Sequence, residues 1–495
     1  MSAQPGRGVR GFTEMRAPFH TRIRAFRATA LAALLAPAFG ILLACSDGGP
    51  ASPDDDGVEP PAGDLAIVWD GRTVDWGADE VLRAEFDGQP VAVEWRSLTD
   101  SYLGQPVFLG HGSETTTAPL KPGTTTVEAR VVAGGSVVDR ATRQVTVRYR
   151  ESWNMALEGM VPYADGTVGD VWVSEGRAFV ARRTAGGISI VDLDGGIREV
   201  GRFTAPNLFT QDVKAAGGVA YVSNETSEYP FAVTFLDVSD PAAPRVLGGV
   251  PTAAVGVAHN LWIDGPLLAL ASQATQAIHL YDVSDPATPI ALSTVRSVAG
   301  VAHDVHIRDE RLFGSYMALS AGQTAELTLA SVADPAHAAV ASRTSYPGAL
   351  LTHSSWLTAD GRYLYVADEI VNAPIRIFDV SDPAGPELVG TYQPRLGTIP
   401  HNFQVRDGRF AYLAHYKHGV EVVDVSDPVH PRTVGFFDTH PGADADIQPA
   451  RSLGLSHEKE GQLFEGAWGV HWTEDGRIAV ADMNRGLFVF RYTGN

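Results

Sequence analysis

The sequence is poor in the residues on which several kinds of chemistry depend. One of its 495 residues is cysteine, Cys45, which excludes an intramolecular disulfide, a thiolate metal cluster and a paired-cysteine redox centre. Positive charge is also scarce: 38 Lys and Arg face 58 Asp and Glu, for a formal net charge of −20. Arg7, Arg10, Arg16, Arg22, Arg24 and Arg27 all precede residue 45 and face only Glu14 there, so the remainder is more acidic still. No cluster of Lys and Arg follows that segment, and no nucleic-acid partner is expected. Long helical periodicity is missing. So are a phosphate-binding loop, a dinucleotide glycine fingerprint, a His-Glu-x-x-His pair and a nucleophile elbow.

What is present is 51 Gly, 31 Pro and many Val-rich runs in a chain that is 44% hydrophobic, the composition of a turn-dense all-β protein of two or three units. The N-terminus has the layout of a secretory signal, with a basic stretch ending at Arg27 and an apolar run from Ala28 to Ala44. Its closure, Leu42-Leu43-Ala44-Cys45, resembles the bacterial lipobox, which implies a signal peptide over 1–44 and lipidation of Cys45. Ser46 rather than Asp follows the cysteine. The resemblance therefore favours an outer-membrane or cell-surface lipoprotein, held to the membrane by its N-terminal lipid. Met15 offers an alternative start with the same basic region.

Residues 45–63, rich in Ser, Asp, Gly and Pro, cannot bury apolar surface and read as a disordered tether. Its Asp54-Asp55-Asp56 run reads as a solvated linker. Residues 64–150 then alternate as short strands: Leu65 to Trp69, Val91 to Trp95, Thr125 to Val132 and Gln144 to Tyr149, with turns at Pro122-Gly123 and Gly134-Gly135. This pattern predicts a small β-sandwich. Val93 to Ser97 and Leu120 to Val131 resemble the immunoglobulin-like, polycystic-kidney-disease-type modules of bacterial surface proteins, which implies a spacer or adhesive role.

Residues 151–495 repeat. Asp-Val-Ser-Asp-Pro occurs at Asp237–Pro241, Asp282–Pro286, Asp379–Pro383 and Asp424–Pro428, with a variant ending at Pro335. Successive final Asp residues (Asp240, Asp285, Asp334, Asp382, Asp427) are separated by 45, 49, 48 and 45 residues, a propeller-blade period. Aligning first strands raises the count to seven: Gly169, Gln211, His259, His303, His353, His401 and Trp468 begin equivalent segments. The last unit lacks a fourth strand, and Trp153 to Leu157 is predicted to supply it. A seven-bladed β-propeller closed in this way leaves no long exposed edge.

Gly419 to Val425, and Ile375 to Val380 followed by Ser381-Asp382-Pro383, resemble the LVIVD repeat. Ala258-His259-Asn260, His303-Asp304, His353-Ser354, Asp368-Glu369, His401-Asn402, Phe437-Asp438 and Gly466-Ala467-Trp468 resemble the choice-of-anchor B surface proteins. That family implies surface display and no established reaction. The chain departs from its pattern at Ser354, Ser355 and His415.

The histidines carry the candidate chemistry. His259, His303, His353 and His401 open the first strands of four adjacent blades, nearest the axis, and so point to one end of the channel. Gathered there they would suit zinc, copper or iron, with Asp304, Asp368 and Glu369 behind them orienting the rings or serving as a base. The competing reading follows from period-two alternation, which puts His303 on one face with Val305 and Ile307, packed against the next blade. His306, His415, His418 and His471 are weaker candidates. His440, Asp444, Asp446 and His457 stand in a long insertion, Asp438 to Phe464, read as a lid or a disordered insertion. Two functions remain open: a monomeric, non-catalytic surface protein holding a protein or glycan ligand, or a metal-dependent surface or periplasmic oxidase or lyase using the four histidines.

Overall fold

The computed structural model describes residues 64–102, 105–397, 399–441 and 464–494. The segments read from sequence as a signal and a tether, Cys45, and most of the insertion, including Asp444, Asp446 and His457, lie outside the described residues. Among those residues no helix is long and apolar enough to cross a membrane.

The architecture is all-β. Two sheets come first. Leu65–Val68, Val81–Phe86, Gln89–Pro90 and Glu114–Thr116 form one; Val74–Asp75, Ser136–Arg148, Gly123–Ala133, Val93–Tyr102 and Gln105–Gly112 form the other, in that order. Alternation along Gly123–Ala133 and Val93–Tyr102 turns Val127, Ala129, Val93 and Trp95 into a shared core with Trp76, Leu82, Ala84 and Leu120.

Seven further antiparallel sheets follow: the first six are each built on four strands in chain order, the seventh on the last three strands of the chain and one from ahead of the first sheet. Their first strands are Val171–Ser174, Val213–Ala216, Asn260–Asp264, Val301–Arg308, Thr352–Leu357, Phe403–Arg406 and Ala467–Trp472. Each first strand touches the next, and that of the seventh sheet touches that of the first. The contacts therefore close on themselves, as in a propeller. Apolar side chains fill the spaces between neighbouring sheets; Val305, Ile307 and Leu312 of the fourth pack on Ala269, Ala271 and Ile278 of the third.

The repeated Asp-Val-Ser-Asp-Pro phrase is the turn from third to fourth strand, and both of its carboxylates cap backbone amides. Asp237 accepts from the Ser239 amide at 3.0 Å and Asp240 from the Ala242 amide at 3.0 Å. Asp282 and Asp285 do the same at 2.8 and 3.0 Å. The Asp side chains thus satisfy donors that the ladder leaves over, and the Pro stops further pairing.

Closure differs from expectation in one respect. Met155–Val161 does complete the seventh sheet, pairing with Gly486–Tyr492, and it runs four residues past Leu157. Trp153, however, pairs with Phe436 as an added edge of the sixth sheet. Asn154, at φ 51°, turns the chain between the two partners. Its side chain donates to the Val434 carbonyl at 2.9 Å, and this local bonding is what lets an Asn adopt a left-handed conformation.

Candidate functional site

At the start of the first strand the fourth to seventh sheets set two residues against one. In the fourth sheet the ladder jumps from Ala302 to Asp304, in the fifth from Thr352 to Ser354 and in the seventh from Ala467 to Gly469. The unpaired residues are His303, His353 and Trp468. His401 and Asn402 likewise share Ala414, whose carbonyl accepts from the His401 amide at 3.0 Å and whose amide donates to Asn402 at 2.9 Å. A bulge re-aims the extra side chain. It also overturns the alternation argument: Ala302, Val305 and Ile307 face the inter-sheet core, and His303 falls out of that register.

The four imidazoles consequently meet in an arc. Ring centroids are 4.1 Å apart for His259 and His303, 4.5 Å for His303 and His353, and 4.1 Å for His353 and His401. Trp468 continues the arc 4.3 Å beyond His401. All five side chains are buried, around a space of about 20 Å³ that Gln211, Asp170 and Asp212 also line.

Links from sheet to sheet fix the rings. The Nδ1 of His401 bonds the Trp468 carbonyl at 2.6 Å, and that of His303 bonds the His353 carbonyl at 3.4 Å. A carbonyl only accepts, so Nδ1 carries the proton and Nε2 holds the lone pair. Burial, with His353 beside it, keeps His401 well below the usual imidazole range, so the ring is neutral and fit to ligate at neutral pH.

Two carboxylates flank the arc. Glu225 bonds His259 Nδ1 and accepts from Gln211 Nε2 at 2.7 Å. Glu369 accepts from the Tyr416 hydroxyl at 2.5 Å and lies 4.0 Å from His401 Nε2. Ligand atoms of His303, His353 and Glu369 all lie within 4.8 Å of one another. A metal about 2.1 Å from each tetrahedral ligand spaces them about 3.4 Å apart, so their separations exceed that spacing by no more than about 1.4 Å.

The other acids named from sequence are engaged elsewhere. Asp368 is fully buried, paired with Arg376 and accepting from the Tyr346 hydroxyl at 3.0 Å. Asp304 lines a second space one layer deeper, about 30 Å³, with Asp170, Lys214, Asn260 and Gln404. Burial, reinforced by Asp212, raises its carboxyl well above the usual range. Lys214 sits between Asp170, at 3.2 Å, and Asp212. Burial pushes Asp170 up to about 7 even beside this ammonium.

Below that layer the channel is plugged. Trp262 meets Trp172, Trp356 and His306 at centroid distances of 5.6, 5.4 and 4.6 Å, and His471 stacks on Trp472 at 4.8 Å. His415 and His418 lie apart from the arc; His415 bonds Glu421 at 3.2 Å and His418 packs on Trp76. His440 bonds Asp482 at 3.2 Å.

Glu225, Tyr416 and Trp468 were not singled out from sequence as site residues. Glu225, Glu369 and Tyr416 occupy one equivalent place, two residues past the second-strand residue that bonds the start of the first strand (Ser223, Ala367 and Ala414). Aligning second strands as well as first would have exposed them.

The LVIVD repeat matches residues 165–193, 353–394 and 406–439; the second match begins at His353 and the third contains Tyr416. No curated protein matches the chain. Among solved structures a streptogramin B lyase is similar at 11% identity and a TM-score of 0.48, over 68% of this chain and 97% of the lyase. Hydrazine synthase of Kuenenia stuttgartiensis is similar at 12% and 0.47, over 68% and 99%. The WD40 β-propeller domain of Doa1 is similar at 9% and 0.47, over 68% and 96%.

Proposed function

We propose that the chain is a lipid-anchored surface protein, an immunoglobulin-like module followed by a seven-bladed propeller, whose channel mouth binds a transition metal through His303, His353 and Glu369, with His259 and His401 beside them. One observation carries this reading: bulges bring the imidazoles of three successive sheets to one mouth beside that of His259 in the sheet before, with a carboxylate within 4.8 Å of two of them. Two imidazoles and one carboxylate suit zinc or ferrous iron, and the imidazole-rich surroundings suit copper. Three protein ligands leave a coordination position open. A donor group of a surface protein or glycan would meet the metal there, and the plugged channel leaves the histidine mouth as its approach. The same open position favours a second reading, a metal-dependent oxidase or lyase, because structural metals usually take four protein ligands.

Elemental analysis after dialysis against Zn²⁺, Cu²⁺ or, under anaerobic conditions, Fe²⁺ tests the site. Wild-type protein is expected to retain about one metal per chain, with His303→Ala and Glu369→Ala each losing most of it. A metal-free wild type, or full occupancy in both variants, contradicts the proposal. For the anchor, Cys45→Ala is expected to leave the membrane fraction and keep its signal segment; unchanged fractionation would refute lipidation.

A further inference from the structure

The turn joining the second and third strands of the sixth sheet has one feature a turn does not require. Tyr416 is an aromatic residue at φ 44°, a strained conformation that persists only where its surroundings enforce it. The enforcement is visible on both sides. Toward the mouth, the Tyr416 amide and carbonyl each bond Ala467, both at 2.9 Å. Within the turn, the Gly419 amide donates to the Tyr416 carbonyl at 2.9 Å and the His418 amide to that of His415 at 3.0 Å.

The far side of the turn rests on the N-terminal sandwich. The fully buried Trp76 meets His418 edge-on at 5.0 Å, and Arg395 lies 4.9 Å over the Trp76 ring. Arg395 donates its amide to Glu421 at 3.0 Å, and Glu421 accepts from His415 at 3.2 Å. Both ends of the turn are thus tied, directly or through Glu421, to groups packed on Trp76. Space there is tight: a Cβ on Gly77 would meet the Phe436 ring at 2.5 Å.

Held in this way, the Tyr416 ring stands edge-on to His401 at 5.0 Å, and its hydroxyl donates to Glu369 Oε1. That bond commits one carboxylate oxygen and fixes the plane of the group, which favours binding a metal through one oxygen. We propose that Tyr416 is the positioning residue of the mouth site, and that the docked sandwich holds it there, so that the N-terminal module sets the metal affinity of the propeller. This rests on the metal reading above.

The test uses full-length protein with Co²⁺ alone, followed by its visible absorption. Tyr416→Phe removes only the hydroxyl. It is expected to weaken Co²⁺ binding about 10- to 100-fold, as loss of an outer-shell partner does, and to alter the absorption bands, with the thermal midpoint of the metal-free protein nearly unchanged. Trp76→Phe is expected to weaken Co²⁺ in the wild-type background and to have little further effect once Tyr416 is Phe; should it not fold, His418→Asn takes its place. Equal affinity in Tyr416→Phe and wild type overturns the positioning role and leaves the metal site standing. Equal effects of Trp76→Phe in both backgrounds overturn the part assigned to the sandwich. A wild type that binds no Co²⁺ defeats the metal reading itself, and this proposal with it.

Discussion

Replacing Glu421 by Gln is expected to destabilise the protein by about 3–5 kcal/mol, the cost of breaking a buried ion pair by removing one partner. Glu421 and Arg395 are both fully buried, with Arg395 Nε 3.9 Å from the carboxylate. The guanidinium is sandwiched, 3.0 Å over Phe436 and 4.9 Å over Trp76. The carboxylate also accepts from Tyr392 at 2.8 Å and Thr433 at 3.4 Å. Burial opposes its charge, yet Arg395 and the hydrogen bonds hold it down to about 2, so it is a carboxylate throughout the physiological range. Gln turns a donor toward this set of donors and leaves the Arg395 charge uncompensated. At roughly 2–4 °C per kcal/mol, the thermal midpoint should fall by on the order of 10 °C. Arg395→Met with Glu421→Met should recover much of the loss, because a packed apolar pair avoids the desolvation of both charges. A thermal midpoint for Glu421→Gln equal to wild type would show that the pair contributes little.

Stability is expected to fall gently from about pH 6.5 and steeply below about pH 4. Burial lowers both His306 and His471 to about 3, against about 6.5 in an unfolded chain. Their folded pKa values lie below the unfolded ones, so each contributes stability that is fully present above about 6.5 and is lost as pH falls toward 3. His401 and His418 are lowered in the same sense. Asp170 opposes them. Raised to about 7, it holds a proton that the unfolded chain releases, and this offsets about one imidazole between pH 7 and 4; Asp304 and Asp368 act in the same direction.

Below about pH 4 the unfolded aspartates are protonated too and that offset ends. Glu421 then adds its own loss, since its stabilisation is complete above about 4.5 and disappears as pH falls through about 2. His306, His471 and Glu421 alone give a slope approaching roughly 4 kcal/mol per pH unit, and His401 and His418 add to it. Urea unfolding midpoints at pH 7, 5, 4 and 3 would measure it. Equal midpoints at pH 7 and 3 would mean that these imidazoles are charged or exposed in the folded protein.

The sheets and their order were legible because each depends on local signals. Alternating runs such as Gly419 to Val425, closed by an Asp-Pro turn, specify a strand and its end without help from the rest of the chain. The partner of Trp153 was not legible, since it depends on one left-handed residue, Asn154, that redirects the chain between two sheets. The histidine arc was legible as a recurrence pointing to one channel end, with packing on a strand face as the competing reading. Alternation assigns His303 to the side of Val305, and one bulged residue reverses that assignment. Tyr416 was the hardest to see, because its role comes from contacts with Glu369, 47 residues away, and from a turn resting on Trp76.

The pairing of Met155–Val161 with Gly486–Tyr492 also has a meaning in time. Every other ladder of the seven sheets except that of Ser152–Trp153 joins strands near in sequence and can form as soon as both are available. These two join chain more than 280 residues apart, at a loop-closure entropy that local hairpins do not carry. The chain therefore finishes folding where it began, and Met155–Val161 waits unpaired until the last residues arrive. A chain cut short before Gly486 would keep six sheets intact and leave that apolar strand as an open edge, the kind of surface that recruits other chains.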